Sequence, residues 1–321
     1  MSLKELKKQI SKEMFLSKEV FLIAHKEIDL DAFASMAGFS LIAKKYKNKT
    51  YIIIDDKNIE PATKEAMNSI KTKLNIITSE EAKKLITKKS ILYILDTNKP
   101  KLLSNEDIIK EFKTITVIDH HTKSPETLKS KNLYIEEKST STCEIVASLL
   151  NKFRMKVPKQ YATVMLGGIA LDTNNFMYKM TRKSFLYCYY LSTKGADVDE
   201  AQKYLKQDLE EYVNRSKMVG NTKIDGEIAI AIGQKGKIYT RQELAKTADL
   251  LLQFKGIKTS FAIGYLEKNK VGISTRSITK LNAGKLMEEF GGGGNKTEAA
   301  AIIENTSIKK IEEQISEKIR R

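Results

Sequence analysis

The chain has 321 residues, 41% of them hydrophobic and 30% charged, a length that suits two domains and an apolar content that excludes wholesale disorder. It contains no run of eighteen apolar residues, which excludes a membrane-spanning helix, and its N-terminus (MSLKELKKQISKE) lacks a secretory apolar stretch. The net charge of +16 is nearly all lysine scattered along the chain; it favours an anionic substrate without marking out a nucleic-acid stripe.

In chain order, the first half alternates short apolar runs with helical patterns. The runs are residues 20–24 (VFLIA), 51–54 (YIII), 74–77 (LNII), 91–95 (ILYIL) and 114–118 (TITVI). Apolar on consecutive positions and largely β-branched, they read as strands buried on both faces. Helical periodicity covers Asp31–Lys47 and Pro61–Lys71 between them. Such alternation predicts an α/β fold with a parallel sheet. Helices are expected at Ser141–Phe153, opening on a capping-box pattern, Ser141 to Glu144, and at Gln160–Leu171 and Thr181–Lys194. A charged helix over Asp199–Val219 would bridge two lobes.

From about Glu227 the texture changes. Residues 228–232, 261–266 and 271–274 read as strands, the last two joined by a charged turn at Leu266–Lys270. Arg241–Phe254 and Lys280–Phe290 read as helices. The expected organisation is a catalytic domain over 1–195, a helical linker over 196–221, and a smaller α/β domain over 222–321.

The residues after the buried runs carry the chemistry. His25, Asp29 and Asp31 follow the first run, Asp96 the fourth, and Asp119, His120 and His121 the fifth; Asp172 follows a further apolar stretch. A single Asp after a strand ordinarily caps a helix. Here, however, all three histidines of the chain stand at strand ends beside aspartates, where an open parallel sheet binds its ligands. Carboxylates and imidazoles without thiolate suit a pair of Mn²⁺ or similar ions, with Mg²⁺ or Co²⁺ as substitutes. Such a pair activates water and neutralises a phosphoryl group. Asp55-Asp56, the tyrosines 187, 189 and 190, and the separated Cys143 and Cys188 read as loop, partly buried and structural residues.

His25-x3-Asp29-x-Asp31, Asp96, Asp119-His120-His121 and Asp172 together resemble the four motifs of the DHH phosphoesterases. The resemblance covers roughly residues 18–305. It implies a parallel-sheet DHH domain and a smaller DHHA1 domain, with the active site in the cleft between them. It also implies that His25 and Asp29 hold one ion, that Asp31, His120 and Asp172 hold the other, and that Asp96 bridges both. His121 would face the substrate phosphate, with Asp119 orienting its neighbours. Arg276-Ser277 and Gly291-Gly292-Gly293-Gly294-Asn295-Lys296 resemble the substrate-binding signatures of DHHA1 domains. The implied substrate contacts are Arg276, Ser277, Gly292, Gly293, Gly294 and Asn295. Asn295 stands where the family usually has histidine, so this position cannot donate a titrating proton.

Within the superfamily the chain is most similar to the catalytic part of the cyclic-di-AMP phosphodiesterases, through Ser139-Thr140-Ser141-Thr142-Cys143-Glu144, Asp172-Thr173-Asn174-Asn175-Phe176, Thr181–Phe185, Lys194–Asp197 and Ala248-Asp249. The expectation is a free-standing cytoplasmic hydrolase that opens cyclic di-AMP to pApA and carries it on to AMP. The same motifs fit a hydrolase of short oligoribonucleotides (nanoRNase) that also removes phosphate from 3′-phosphoadenosine 5′-phosphate. A family II pyrophosphatase shares the first motifs but not the glycine loop, and a nucleotide receptor without turnover is the reading from outside the enzymes. Partners are expected to be small nucleotides, neither duplex nucleic acid nor membrane; a homodimer is left open.

Overall fold

The computed structural model describes residues 1–56, 59–206 and 208–319. It divides into two compact units, Met1–Lys206 and Gln207–Arg321. Among the described residues no helix is long and apolar enough to cross a membrane.

The first unit runs α1 (Leu3–Leu16), β1 (Glu19–Ile23), α2 (Leu30–Lys45), β2 (Lys49–Ile53), α3 (Pro61–Ile70), β3 (Ile76–Ile77), α4 (Ser79–Leu85), β4 (Ser90–Leu95), β5 (Ile115–Asp119), β6 (Leu133–Ile135), α5 (Thr142–Lys152), α6 (Lys159–Asp172), α7 (Arg182–Thr193) and α8 (Val198–Lys203). Its six strands form one parallel sheet in the order β3-β2-β1-β4-β5-β6. Strand alternation divides the apolar runs between two cores. Val20, Leu22, Ile91, Tyr93 and Leu95 face the helices α2, α5 and α6, whereas Phe21, Ile23, Leu92 and Ile94 face α4 and the turns around Ile108 and Phe112. Both faces are therefore covered, which is why these strands read as unbroken apolar runs. Helix α2 is buried from Leu30 to Ala43, and α6 from Tyr161 to Ala170.

The topology places the site. β1 lies between β2 and β4, and the chain leaves it toward both edges of the sheet. The carboxyl ends of β1, β4 and β5 stand side by side, at the switch point where open α/β sheets bind ligands.

The second unit comprises α9 (Leu209–Gly220), β7 (Thr222–Asp225), β8 (Ile228–Ile232), α10 (Arg241–Leu251), β9 (Thr259–Glu267), β10 (Lys270–Ser277), α11 (Ala283–Glu288), β11 (Gly293–Gly294), β12 (Glu298–Glu304) and α12 (Ile308–Ile319). Its sheet has the order β11-β12-β10-β9-β8-β7, antiparallel except for the β8–β9 pair. Ile308, Ile311 and Ile315 of α12 pack with Phe261, Ile263 and Ile273 on one face; Leu244 and Ala248 of α10 cover the other with Ala229 and Ala262.

Several expectations change in detail. The run at 74–77 shrinks to the two residues of β3, because Lys71–Lys73 closes a 3₁₀ turn ahead of it. The helix expected over Asp199–Val219 appears as α8 and α9; residue 207 of that span lies outside the described residues. Arg276 and Ser277 do not follow β10 but end it, paired with Ser260 and Thr259 of β9. The β9–β10 turn is tighter than Leu266–Lys270, since Glu267 already pairs with Lys270.

Candidate metal centre

Five elements, β1, α2, β4, β5 and α6, bring the titrating residues together. His25 follows β1, Asp29 is the N-cap of α2 and Asp31 lies in its first turn, Asp96 follows β4, Asp119 ends β5 ahead of His120 and His121, and Asp172 ends α6. Asp29 fills two roles at once: its Oδ1 accepts from the Ala32 amide at 2.9 Å, while its Oδ2 lies 3.6 Å from His25 Nε2.

Among the described residues, three overlapping groups could hold a cation, with ligand atoms within 4.8 Å of one another: His25, Asp29 and Asp96; Asp31, His120 and Asp172; and Asp96, His120 and His121. Asp96 joins them through opposite oxygens. Its Oδ2 lies 3.4 Å from His25 Nε2, its Oδ1 3.4 Å from His120 Nε2. Its backbone is held at φ +61°, a left-handed conformation uncommon for a residue other than glycine and characteristic of functional strand ends. His120 Nε2 is also 3.2 Å from Asp172 Oδ2, yet this buried nitrogen makes no well-formed hydrogen bond. A buried nitrogen facing carboxylate oxygens without bonding them is the donor arrangement of an ion's ligand shell.

The outer contacts fix these donors. His25 Nδ1 donates to the Lys26 carbonyl at 2.8 Å, which leaves Nε2 for the cluster. The fully buried Asp119 accepts from the amides of His120 (2.8 Å) and His121 (3.1 Å) and from Asn98 Nδ2 (2.6 Å). It also lies 2.8 Å from His121 Nδ1. That nitrogen is thus engaged, and the half-exposed His121 ring keeps Nε2 without a protein hydrogen-bond partner among the described residues. Asn98 is a residue that sequence reasoning overlooked; its place two residues beyond Asp96 was the only signal.

The electrostatics follow from crowding. Burial pushes the His25 imidazole down, but Asp29 and Asp96 outweigh it and lift its pKa to about 12. His120 rises to about 10 against its burial, through Asp96, Asp172 and Asp31. Burial and the Asp96 charge push Asp31 up to about 7, and burial with the Asp31 charge raises Asp172. Burial opposes ionisation of Asp96 as well, yet His120 and His25 hold it well below the usual carboxylate range. Asp29, Asp31, Asp96 and Asp172 carry four negative charges when ionised, which two divalent ions would balance.

The sign of the pH dependence is fixed by these raised values. Protonated His25 and His120 stabilise the fold below pH 6.5 and lose that contribution as pH climbs toward their raised values; protonated Asp31 loses its contribution between about pH 4 and 7. Bound cations would take the place of those protons. The rise in Tm produced by Mn²⁺ should therefore grow from pH 5 to pH 8 in thermal melts; a rise that is equal or larger at pH 5 would contradict this electrostatic picture.

In the second unit, Arg276 is already engaged. Its Nε and Nη2 grip Asp249 at 2.6 and 3.3 Å, and its Nη1 reaches Ser274 Oγ and the Thr275 carbonyl. Ser277 is buried and bonds Thr259 and Thr279, so its hydroxyl serves the fold. Gly292 and Gly294 pass so close to β12 that a Cβ would lie 2.1 Å from the Ala300 carbonyl and 2.3 Å from that of Glu298. Gly291 and Gly293 have open space around them, Gly291 at a left-handed φ of +75°. Asn295 Oδ1 accepts from the Thr297 amide and hydroxyl and the Glu298 amide, closing the loop on itself. Asp55 and Asp56, set aside from the sequence, tie loops together through Ser79, Ser104 and Ile28.

Residues 19–169 match the model of the DHH family, N-terminal domain, and residues 225–321 that of the DHHA1 domain. The chain belongs to the DHH family, with the DHH match in its first unit and the DHHA1 match in its second. It is 33% identical over 308 residues to the cyclic-di-AMP phosphodiesterase PdeA of Listeria monocytogenes, covering 93% of this chain and 47% of that protein. The chain thus spans about half the length of the first curated relatives it matches. It is 24% identical to the bifunctional oligoribonuclease and PAP phosphatase NrnA of Mycoplasma genitalium, over 94% of this chain and 93% of that one. An exopolyphosphatase-related protein from Bacteroides fragilis shares the fold, with a TM-score of 0.84 at 20% identity over 98% of this chain and 96% of that one.

Proposed function

We propose that this chain is a Mn²⁺-dependent phosphodiesterase that hydrolyses cyclic di-AMP to pApA and then to AMP. The observation that carries the reading is Asp96, whose two oxygens each face a separate histidine–carboxylate group. The likeness to PdeA supports the choice of substrate class. His25, Asp29 and Asp96 are assigned to one ion, and Asp31, His120, Asp172 and the other oxygen of Asp96 to the second. The bound ions supply neutralisation of the phosphoryl oxygens and a nucleophilic water at neutral pH.

The chain's own residues do the remainder. Asp119 engages Nδ1 of His121 and raises its pKa against the burial that lowers it. A protonated His121 then offers Nε2–H to a phosphate oxygen. Arg276 is pre-set in a bidentate geometry that a phosphate can adopt in place of Asp249. Gly293 pairs with Ala300 and leaves open space beside its Cα for a ligand, while Ser277, Gly292 and Gly294 shape the loop and Asn295 stiffens it. Each turnover consumes one water per P–O3′ bond broken and leaves a 5′-phosphate.

A second reading, oligoribonuclease with 3′-phosphoadenosine 5′-phosphate phosphatase activity, is favoured by the NrnA match, which spans nearly the whole of both chains. A time course with Mn²⁺ on cyclic di-AMP, pApA and the bisphosphate separates the two. The proposal expects cyclic di-AMP to be consumed with transient pApA. Loss of pApA with cyclic di-AMP untouched would select the second reading.

A further inference from the structure

The Ser141–Glu144 pattern predicts a capping box at the start of α5. Half of that reading stands: Ser141 Oγ accepts from the Glu144 amide at 3.1 Å. The Glu144 carboxylate does not complete a capping box. It is 1% exposed and instead accepts from Ser139 Oγ (3.2 Å), the Thr140 amide (3.3 Å) and hydroxyl (2.8 Å), and Ser184 Oγ at the start of α7 (2.7 Å). Such a buried, fully bonded carboxylate locks the turn ahead of α5 in one shape. That turn presents Thr142. The Thr142 amide donates to Asp31 Oδ2 at 2.7 Å, and its hydroxyl donates to Asp96 Oδ1 at 2.8 Å. The next amide, Cys143, donates to Asp31 Oδ1 at 2.9 Å. One residue thus bonds a carboxylate of α2 and a carboxylate beyond β4, and both it and Asp31 are fully buried.

We propose that Thr142 is a positioning residue that sets Asp96 between the two cation groups. Its hydroxyl engages Oδ1, the oxygen facing His120, and leaves Oδ2, the oxygen facing His25, untouched. The effect of losing that hydroxyl is therefore asymmetric. It falls on the ion held by Asp31, His120 and Asp172 and spares the one held by His25 and Asp29. The inference rests on the two-cation reading and is independent of which nucleotide is cleaved.

The test is titration of the full chain with Mn²⁺ by calorimetry, comparing wild type, Thr142→Val and Thr142→Ser, with melting in chelator as the folding control. Thr142→Val keeps the shape and removes the hydroxyl. It should weaken one of two binding events roughly tenfold or more, leave the other within about threefold, and lower kcat with little change in KM; Thr142→Ser should restore both. Two unchanged events in Thr142→Val would overturn the inference, as would equal loss of both with a lowered melting point in chelator, or a Ser variant as weak as Val. A wild type that takes up no Mn²⁺ would overturn the two-cation reading itself and the inference with it.

Discussion

Asp96→Ala should bind neither ion tightly and should lose turnover by at least about 10³-fold, more than removal of a single oxyanion-stabilising donor costs. The reason is geometric: one carboxylate faces His25 through Oδ2 and His120 through Oδ1, so its loss strips a donor from both groups. The fold should survive. Asp96 is buried and its charge raises the pKa of both Asp31 and Asp172, so removing it relieves repulsion. Asp96 already bears the left-handed φ of +61°, so alanine adds only the difference between the two residues in that region. Metal content, melting in chelator and hydrolysis rate on one preparation check this. An Asp96→Ala protein that keeps two bound ions would remove the bridging role.

The second large effect concerns stability. Gly292→Ala should destabilise the second unit by about 3 kcal/mol or more, because a Cβ there would lie 2.1 Å from the Ala300 carbonyl and 2.6 Å from Ala301 Cα. Backbone atoms of a paired strand cannot step aside as a flexible side chain would. In a unit of this size such a loss lowers Tm by roughly 10 °C or more. Gly293→Ala, one residue on, meets nothing within 4 Å and should melt like wild type. Scanning calorimetry of the two variants checks the contrast. Equal destabilisation would mean that the loop does not lie against β12 as described.

The contrast also shows what a glycine run can and cannot tell. Four consecutive glycines suggest backbone exposed to a phosphate, yet two of them are required by the close approach to β12. The strands β1, β4 and β5 were legible because the sheet is covered on both faces, which forces consecutive apolar residues. From their ends, the meeting of His25, Asp96 and the Asp119-His120-His121 run could be foreseen. β6 was missed because it is a three-residue edge strand, and β12 because its three consecutive alanines carry no β-branched signal; Ala299 and Ala301 are small where they pack with α11 and α12, while Ala300 is exposed. α12 was missed as well, although its isoleucines at 308, 311 and 315 have helical spacing. Thr142 and Glu144 were visible as a cap, but their bonds to Asp31, Asp96 and Ser184 join residues 40 to 111 positions apart, and no local pattern encodes them. Arg276 was visible as a phosphate grip, whereas its pairing with Asp249 depends on α10 lying over β10.

The central claim is that two cations share Asp96. Anomalous scattering from crystals grown with Mn²⁺, collected at the manganese edge, tests it most directly. The account predicts two peaks, one among His25, Asp29 and Asp96 and the other among Asp31, Asp96, His120 and Asp172. No peak in either group, or a single peak that leaves Asp96 unshared, would contradict it.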